Sequence, residues 1–290
     1  MAAYQINPEE IAVDATNIYW TDDDCQNGAV MQIAKAGGAP IKLASVQGCP
    51  DGLAVDAKNV YYAEYNAGTI TTVPIGGGTT TVIAAGQADP GPIVTGNAGI
   101  LWVDLGFGSP VGSVQLLGPG ATTPSTVATG TPGAVAVDAA NVYWADTGSF
   151  NGSDGDLKAM PLAGGPVTTL ASGVSPGDIA VDGASLYWAD SPGNGGRMGG
   201  SIRSVPLGGG AATSLVQGIG PVAIALDAQY LYWTDGGAMD GAAMVMKVPL
   251  AGGAPVTVAQ GLEGPNDIAV DDTTVYWTDM SGGTLMKAPK

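Results

Sequence analysis

Histidine is missing from all 290 residues. Its absence excludes every mechanism built on an imidazole, whether as general base, as metal ligand or as activator of a hydroxyl or thiol nucleophile. Positive charge is nearly as scarce. Nine Lys and Arg stand against 26 Asp and Glu, giving a net charge of -17 and a pI near 4.1. That balance repels phosphate backbones and anionic lipid headgroups, so nucleic acid is not an expected partner. No run approaches the roughly 18 apolar residues of a membrane span, and the amino terminus lacks a basic start followed by an apolar segment, so no membrane insertion is expected. Cysteine and phenylalanine occur twice each, at Cys25 and Cys49 and at Phe107 and Phe150.

Glycine and proline, by contrast, are abundant at 47 and 20 residues. Such a content approaches that of disordered chains. Yet hydrophobic residues make up 45% and charged residues only 12%, so the chain has much to bury and little to keep it unfolded. An ordered, repetitive structure is therefore expected to use the glycines. The repeat is visible directly: an Ile-Ala-Val-Asp-like run, a short turn, then an aromatic run closed by an acid. Copies begin at Ile11, Leu53, Ile93, Val135, Ile179, Ile224 and Ile268, each with a proline three residues earlier, from Pro8 to Pro265. Each unit holds four short apolar segments separated by turn residues, which predicts four antiparallel strands per unit. Seven such units of about 40 to 45 residues predict an all-β, seven-bladed β-propeller. The expectation is a single domain over 1–290, with residues 2–6 supplying the outer strand of the last blade.

Tyr-Trp-Thr-Asp occurs literally at Tyr19–Asp22, Tyr232–Asp235 and Tyr276–Asp279, with close variants in the other four units. On these motifs the whole chain resembles the YWTD-type propellers of low-density-lipoprotein-receptor-like proteins and the related NHL-like bacterial propellers. It departs from the receptor group in having seven units instead of six and no flanking EGF-like modules.

Internal repetition separates structural from functional candidates. The acids closing the second strand occur in all seven units, and the Trp residues in six; both are expected to serve the blade. The variable element is the connection between strands two and three, which shares one face with the proline-containing connections between blades. Loops on a rigid scaffold concentrate binding residues. The candidate ligand-binding residues on this face are Tyr65, Asn66, Phe107, Phe150, Asp154, Arg197 and Asp240 from the loops, with Asp178 and Asp267 from the inter-blade connections; ordinary solvated loops are the competing reading. Both phenylalanines fall in these loops. Asp22, Asp23, Asp24 and Asn27 are oxygen-rich enough for calcium without matching an EF-hand spacing.

Cys25 lies in the variable loop of unit one and Cys49 immediately before Pro50, on the same expected face. A disulfide is therefore expected, and with it an extracellular or periplasmic location. The functional expectation is a non-catalytic, extracytoplasmic, monomeric binding or sensing module for a protein, peptide or glycan, requiring no cofactor. Two alternatives stand beside it. One is an engineered or recently amplified scaffold without a specific ligand. The other is a metal-dependent, lactonase-like hydrolase; propellers of the virginiamycin-B-lyase-like type use a catalytic histidine, which this chain lacks.

Overall fold

The computed structural model describes residues 1–107, 111–148, 154–191, 199–237 and 243–290. They build seven antiparallel sheets of four strands each, and no helix occurs among the described residues. The architecture is a seven-bladed β-propeller. Phe150, Arg197 and Asp240 lie outside the described residues.

Each blade opens on its proline. The first strands are Pro8–Val13, Pro50–Val55, Pro90–Gly96, Pro132–Val137, Pro176–Val181, Pro221–Leu226 and Pro265–Val270. A strand's first residue is a position where the missing N–H costs no ladder bond. In blade 1 the remaining strands are Asn17–Asp22, Gly28–Ala34 and Ile41–Val46, paired in sequence order. The seventh sheet differs, because its outer strand is Ala2–Ala3, paired with Leu285 and Thr284. Pairing stops there, short of Ile6, as Tyr4 and Asn7 take left-handed backbone conformations at φ 63° and 47°. Thr278 Oγ1, in the seventh blade's second strand, donates to the Glu9 carbonyl of the first blade at 2.6 Å.

Two compact units divide the chain: Met1–Pro132 with Tyr276–Lys287, and Gly133–Val275 with Ala288–Lys290. The same packing rule operates inside each. Successive residues of a strand point to opposite faces, so the aromatic pair of strand two enters two different cores. In the first unit, Tyr19 of blade 1 and Tyr62 of blade 2 share a core with Val30 and Leu53, while Tyr61 meets Trp102 of blade 3 beside Ile70 and Ile93. In the second, Tyr143 shares a core with Trp188, and Tyr187 with Trp233. The first aromatic of one blade thus packs with the second aromatic of the next.

The polar tip of each tyrosine needs a partner once the ring is buried. Where the first aromatic of strand two is a tyrosine, its hydroxyl finds the Asp that follows strand one. Asp14 Oδ1 accepts the Thr16 and Asn17 N–H groups at 2.6 and 2.7 Å, and its Oδ2 accepts Tyr19 OH at 2.7 Å. The arrangement recurs at Asp56 with Tyr61, Asp138 with Tyr143, Asp182 with Tyr187 and Asp227 with Tyr232. One carboxylate both closes the hairpin turn and anchors the ring. Partial burial alone would raise Asp14, Asp56 and Asp138, but these bonds hold them below the usual carboxylate range. Blade 3 has Gly96 and Leu101 at the two positions, so both halves of the clamp are lost together.

Trp144 is buried at 2% exposure whereas Phe107 is 66% exposed. Trp144→Ala is expected to cost about 3–5 kcal/mol in denaturant unfolding, and Phe107→Ala to cost little. Equal losses would show that blade-building and loop-borne residues are not separable in this way.

Candidate functional site

At the loop end of every blade the acid closing strand two is engaged in local structure. Asp22 accepts Trp20 Nε1 at 3.0 Å and the Ile6 N–H; Glu64 accepts Thr71 Oγ1 at 2.8 Å. Asp104 accepts Trp102 Nε1 at 3.1 Å, Asp146 pairs with Lys158 at 2.6 Å, and Asp190 with Arg203 at 3.0 Å. Asp235 accepts Gly237 N–H at 3.0 Å and Asp279 accepts Gly282 N–H at 3.3 Å. In the calcium candidate, Asp24 Oδ1 accepts the Gln26 N–H at 2.9 Å and its Oδ2 the Asn27 side-chain amide at 3.4 Å. Asp22 and Asp24 are thus spent on hydrogen bonds. Asp23, Cys25 and Cys49 are the acid and cysteine groups that converge among the described residues, and the two sulfurs are joined in a disulfide.

The first strands carry a feature that the repeat pattern did not reveal. Pro8 pairs with Asp22 and Ile11 with Trp20, so strand one has one residue more than its partner. The same irregularity recurs at Pro90/Ile93, Pro176/Ile179 and Pro221/Ile224, and between Asp51 and Leu53. Such bulges re-aim side chains and concentrate beside functional sites. In blades 1, 2 and 5 the irregularity includes or adjoins inter-blade acids: Glu9 and Glu10, Asp51, and Asp178.

These acids divide into two kinds. In the second unit, Asp178 Oδ1 accepts the Ile179 N–H and its Oδ2 the Ile224 N–H of the next blade, both at 2.8 Å. Asp178 therefore stitches blades 5 and 6 together, and burial pushes its carboxyl up to about 6. Asp267 accepts the Ile268 N–H at 2.7 Å. Asp154 is exposed in the same unit. A polar depression in blade 5, lined by Asp190, Arg203, Ser214 and Gln217, has no aromatic lining among the described residues.

Asp51, in the first unit, is the other kind. Its carboxylate accepts no hydrogen bond from the described residues, and it sits half-buried at the start of blade 2. Burial, then the charge of Asp23, pushes it up to about 6. Gly52 beside it has φ 81°, and a Cβ there would run into the Gly91 carbonyl, so only glycine lets the two strands pass. A Cβ on Gly91 would lie 3.1 Å from the Leu105 side chain and 3.5 Å from Asp51 Oδ2, so these two side chains converge.

Around Asp51 the structure gathers three of the predicted residues. The Tyr65 and Phe107 rings lie 6.3 Å apart at 49°. Tyr65 N–H donates to the Cys49 carbonyl at 3.1 Å, and Asn66 Nδ2 lies 2.9 Å from Cys49 Sγ. The Cys25–Cys49 disulfide ties the 22–27 loop to this point, with Asp23 Oδ1 3.7 Å from Cys25 Sγ. Partial burial and the charges of Asp89 and Asp51 raise the Tyr65 hydroxyl. Asp89, whose carbonyl accepts the Leu105 N–H at 3.0 Å, escaped the sequence reading. Its signal was an acid directly before the Pro90 that opens the divergent third blade.

No family model and no curated protein matches the chain. Solved structures do match in fold. Virginiamycin B lyase from Staphylococcus aureus is 15% identical, with 98% of this chain and 94% of that chain covered and a TM-score of 0.74. A catalytically inactive histidine-to-alanine variant of that lyase with quinupristin is 14% identical, with 100% and 97% covered and a TM-score of 0.76. A chain of a nidogen/laminin complex is 17% identical, with 93% and 91% covered and a TM-score of 0.52. At these identities the likeness establishes the fold, shared by an enzyme and a protein in a protein complex.

Removing the disulfide by Cys25→Ser with Cys49→Ser should cost about 2–4 kcal/mol of unfolding free energy, read by denaturant titration; no loss would show that the loop is held without it. A second outcome concerns pH. An unfolded Asp titrates near 3.9 and folded Asp51 near 6. Between the two values the native state binds more protons, so the Asp51 contribution lowers stability as pH rises through that window. Below about 4 both states are protonated and the penalty is absent. Asp51→Asn should therefore match the parent near pH 4 and exceed it in stability at pH 8; parallel pH profiles would refute the assignment.

Proposed function

We propose that this chain is a non-catalytic binding or sensing module of the YWTD-type propeller group, acting outside the cytoplasm as a monomer. The ligand is a protein, peptide or glycan segment. The observation that carries this reading is the Tyr65–Phe107 ring pair beside Asp51. It joins an aromatic pair, Phe107 of which is exposed, to a half-buried carboxylate with no hydrogen-bond partner among the described residues, beside a loop end held by a disulfide. The disulfide also supports an oxidising compartment. No helix of the described residues is long and apolar enough to cross a membrane.

Two observations favour binding over chemistry. The chain contains no histidine, whereas a histidine-to-alanine variant of a neighbouring lyase is catalytically inactive. A hydrolase dependent on calcium would need several oxygen ligands aimed at one point, and Asp22 and Asp24 point their oxygens at local donors. The binding reading needs no cofactor.

The intact protein is to be screened against a glycan array and a displayed peptide library. Tyr65→Ala and Phe107→Ala should each weaken the recovered interaction about tenfold or more without lowering the melting temperature. Unchanged affinity in both variants would move the site elsewhere, and chelator-sensitive turnover of a lactone panel would replace binding with catalysis.

A further inference from the structure

The amino-terminal turn places a second apolar group on the same unit. Tyr4 is 99% exposed and Ile6 56% exposed. A bulky residue at positive φ is a backbone outlier, held in place by its surroundings, and Tyr4 is one. Gln5 N–H donates to the Gly283 carbonyl at 3.0 Å, and Asp23 N–H donates to the Asn7 carbonyl at 3.0 Å. The turn is therefore pinned to the 22–27 loop. That loop is bound through Cys25 to Cys49, whose carbonyl accepts the Tyr65 N–H. The turn that carries Tyr4 and Ile6 is thus linked through Asp23 and the disulfide to Tyr65, whose ring meets Phe107. Binding to these linked groups carries little ordering cost.

Its charge selects the partner. No Lys or Arg forms an ion pair with Asp23, Asp51 or Asp89 among the described residues, and the whole chain carries -17. A neutral sugar would stack on the rings but leave these carboxylates uncompensated. The stem of a Lys or Arg covers an aromatic face while its head reaches a carboxylate. Apolar anchors on either side of the acids suit an extended chain in which basic and apolar side chains are interspersed.

Resting on the binding function above, we propose that the partner is a polypeptide segment bearing Lys or Arg among aromatic or aliphatic residues, and that Tyr4 and Ile6 form its second anchor. The Asp51 carboxylate, uncharged in part near pH 6, returns to full ionisation when the basic head arrives.

A phage-displayed random dodecapeptide library panned on the intact, oxidised protein tests this. Recovered peptides are then titrated by fluorescence anisotropy against the parent and against Phe107→Ala, Tyr4→Ser and Asp51→Asn, each checked for a melting temperature no lower than the parent's. The expected peptides carry Lys or Arg beside apolar residues, bind about tenfold more weakly to Tyr4→Ser and to Asp51→Asn, and lose affinity as salt rises. Peptides without basic residues, insensitivity to both Tyr4→Ser and Asp51→Asn, or capture of neutral oligosaccharides with no peptide recovered would each overturn the proposal. In the first two cases, sensitivity to Phe107→Ala would leave the site itself standing; indifference to Phe107→Ala would remove that as well.

Discussion

The structure depends on one arrangement, the burial of the second strand of every blade on both its faces. Tyr19 and Trp20 are adjacent in sequence and both wholly buried, which an isolated sheet with one solvated face cannot achieve. Only neighbouring sheets on either side supply the two apolar environments. Because the first aromatic of one blade packs with the second aromatic of the next, the Tyr-Trp dipeptide is a joint between blades. The low share of charged residues follows, since sheets covered on both faces leave little surface for them.

Burying a tyrosine creates a polar obligation, and the repeat meets it locally. The Asp following strand one satisfies two backbone N–H groups and the phenol of the same blade, so the turn and the inter-blade joint are one unit. Blade 3 shows this by losing both partners, with Gly96 for the Asp and Leu101 for the Tyr. An unpartnered carboxylate or a buried unpaired phenol would each carry a desolvation cost. The same reasoning sets Asp178 apart from Asp51. The first spends both oxygens on backbone donors of two blades, while the second, at the start of another first strand, has no such donors among the described residues.

A fold shared by a lyase and a chain of a protein complex does not by itself assign an activity. What distinguishes this chain is chemical. It has no imidazole, a large excess of acid, and loop ends pinned by a disulfide where the Tyr65 and Phe107 rings lie near Asp51 and Asp89. Rigidity from the blades and the disulfide allows those loop ends to hold their shape without a ligand, as recognition with little ordering cost requires.

Much of this was legible in the residues alone. The proline that opens each blade, the four strands per repeat, the count of seven and the structural role of the closing acids follow from periodicity, because a strand's pattern and a turn's chemistry are local properties. The nearness of Cys25 to Cys49 was legible too, once both were placed at the same end of their units. The bulge beside Asp51 and at Asp178 was not, for it exists only in the register between two strands and leaves no gap in the spacing. Nor was the gathering of Asp89, Tyr65 and Phe107 around Asp51, or the halt of the outer strand at Ala3 that turns Tyr4 outward. Those depend on which blade ends meet, and contacts between different blades, such as that of Tyr65 with Phe107 across 42 positions, are decided by sheet twist and packing, on which local sequence is silent.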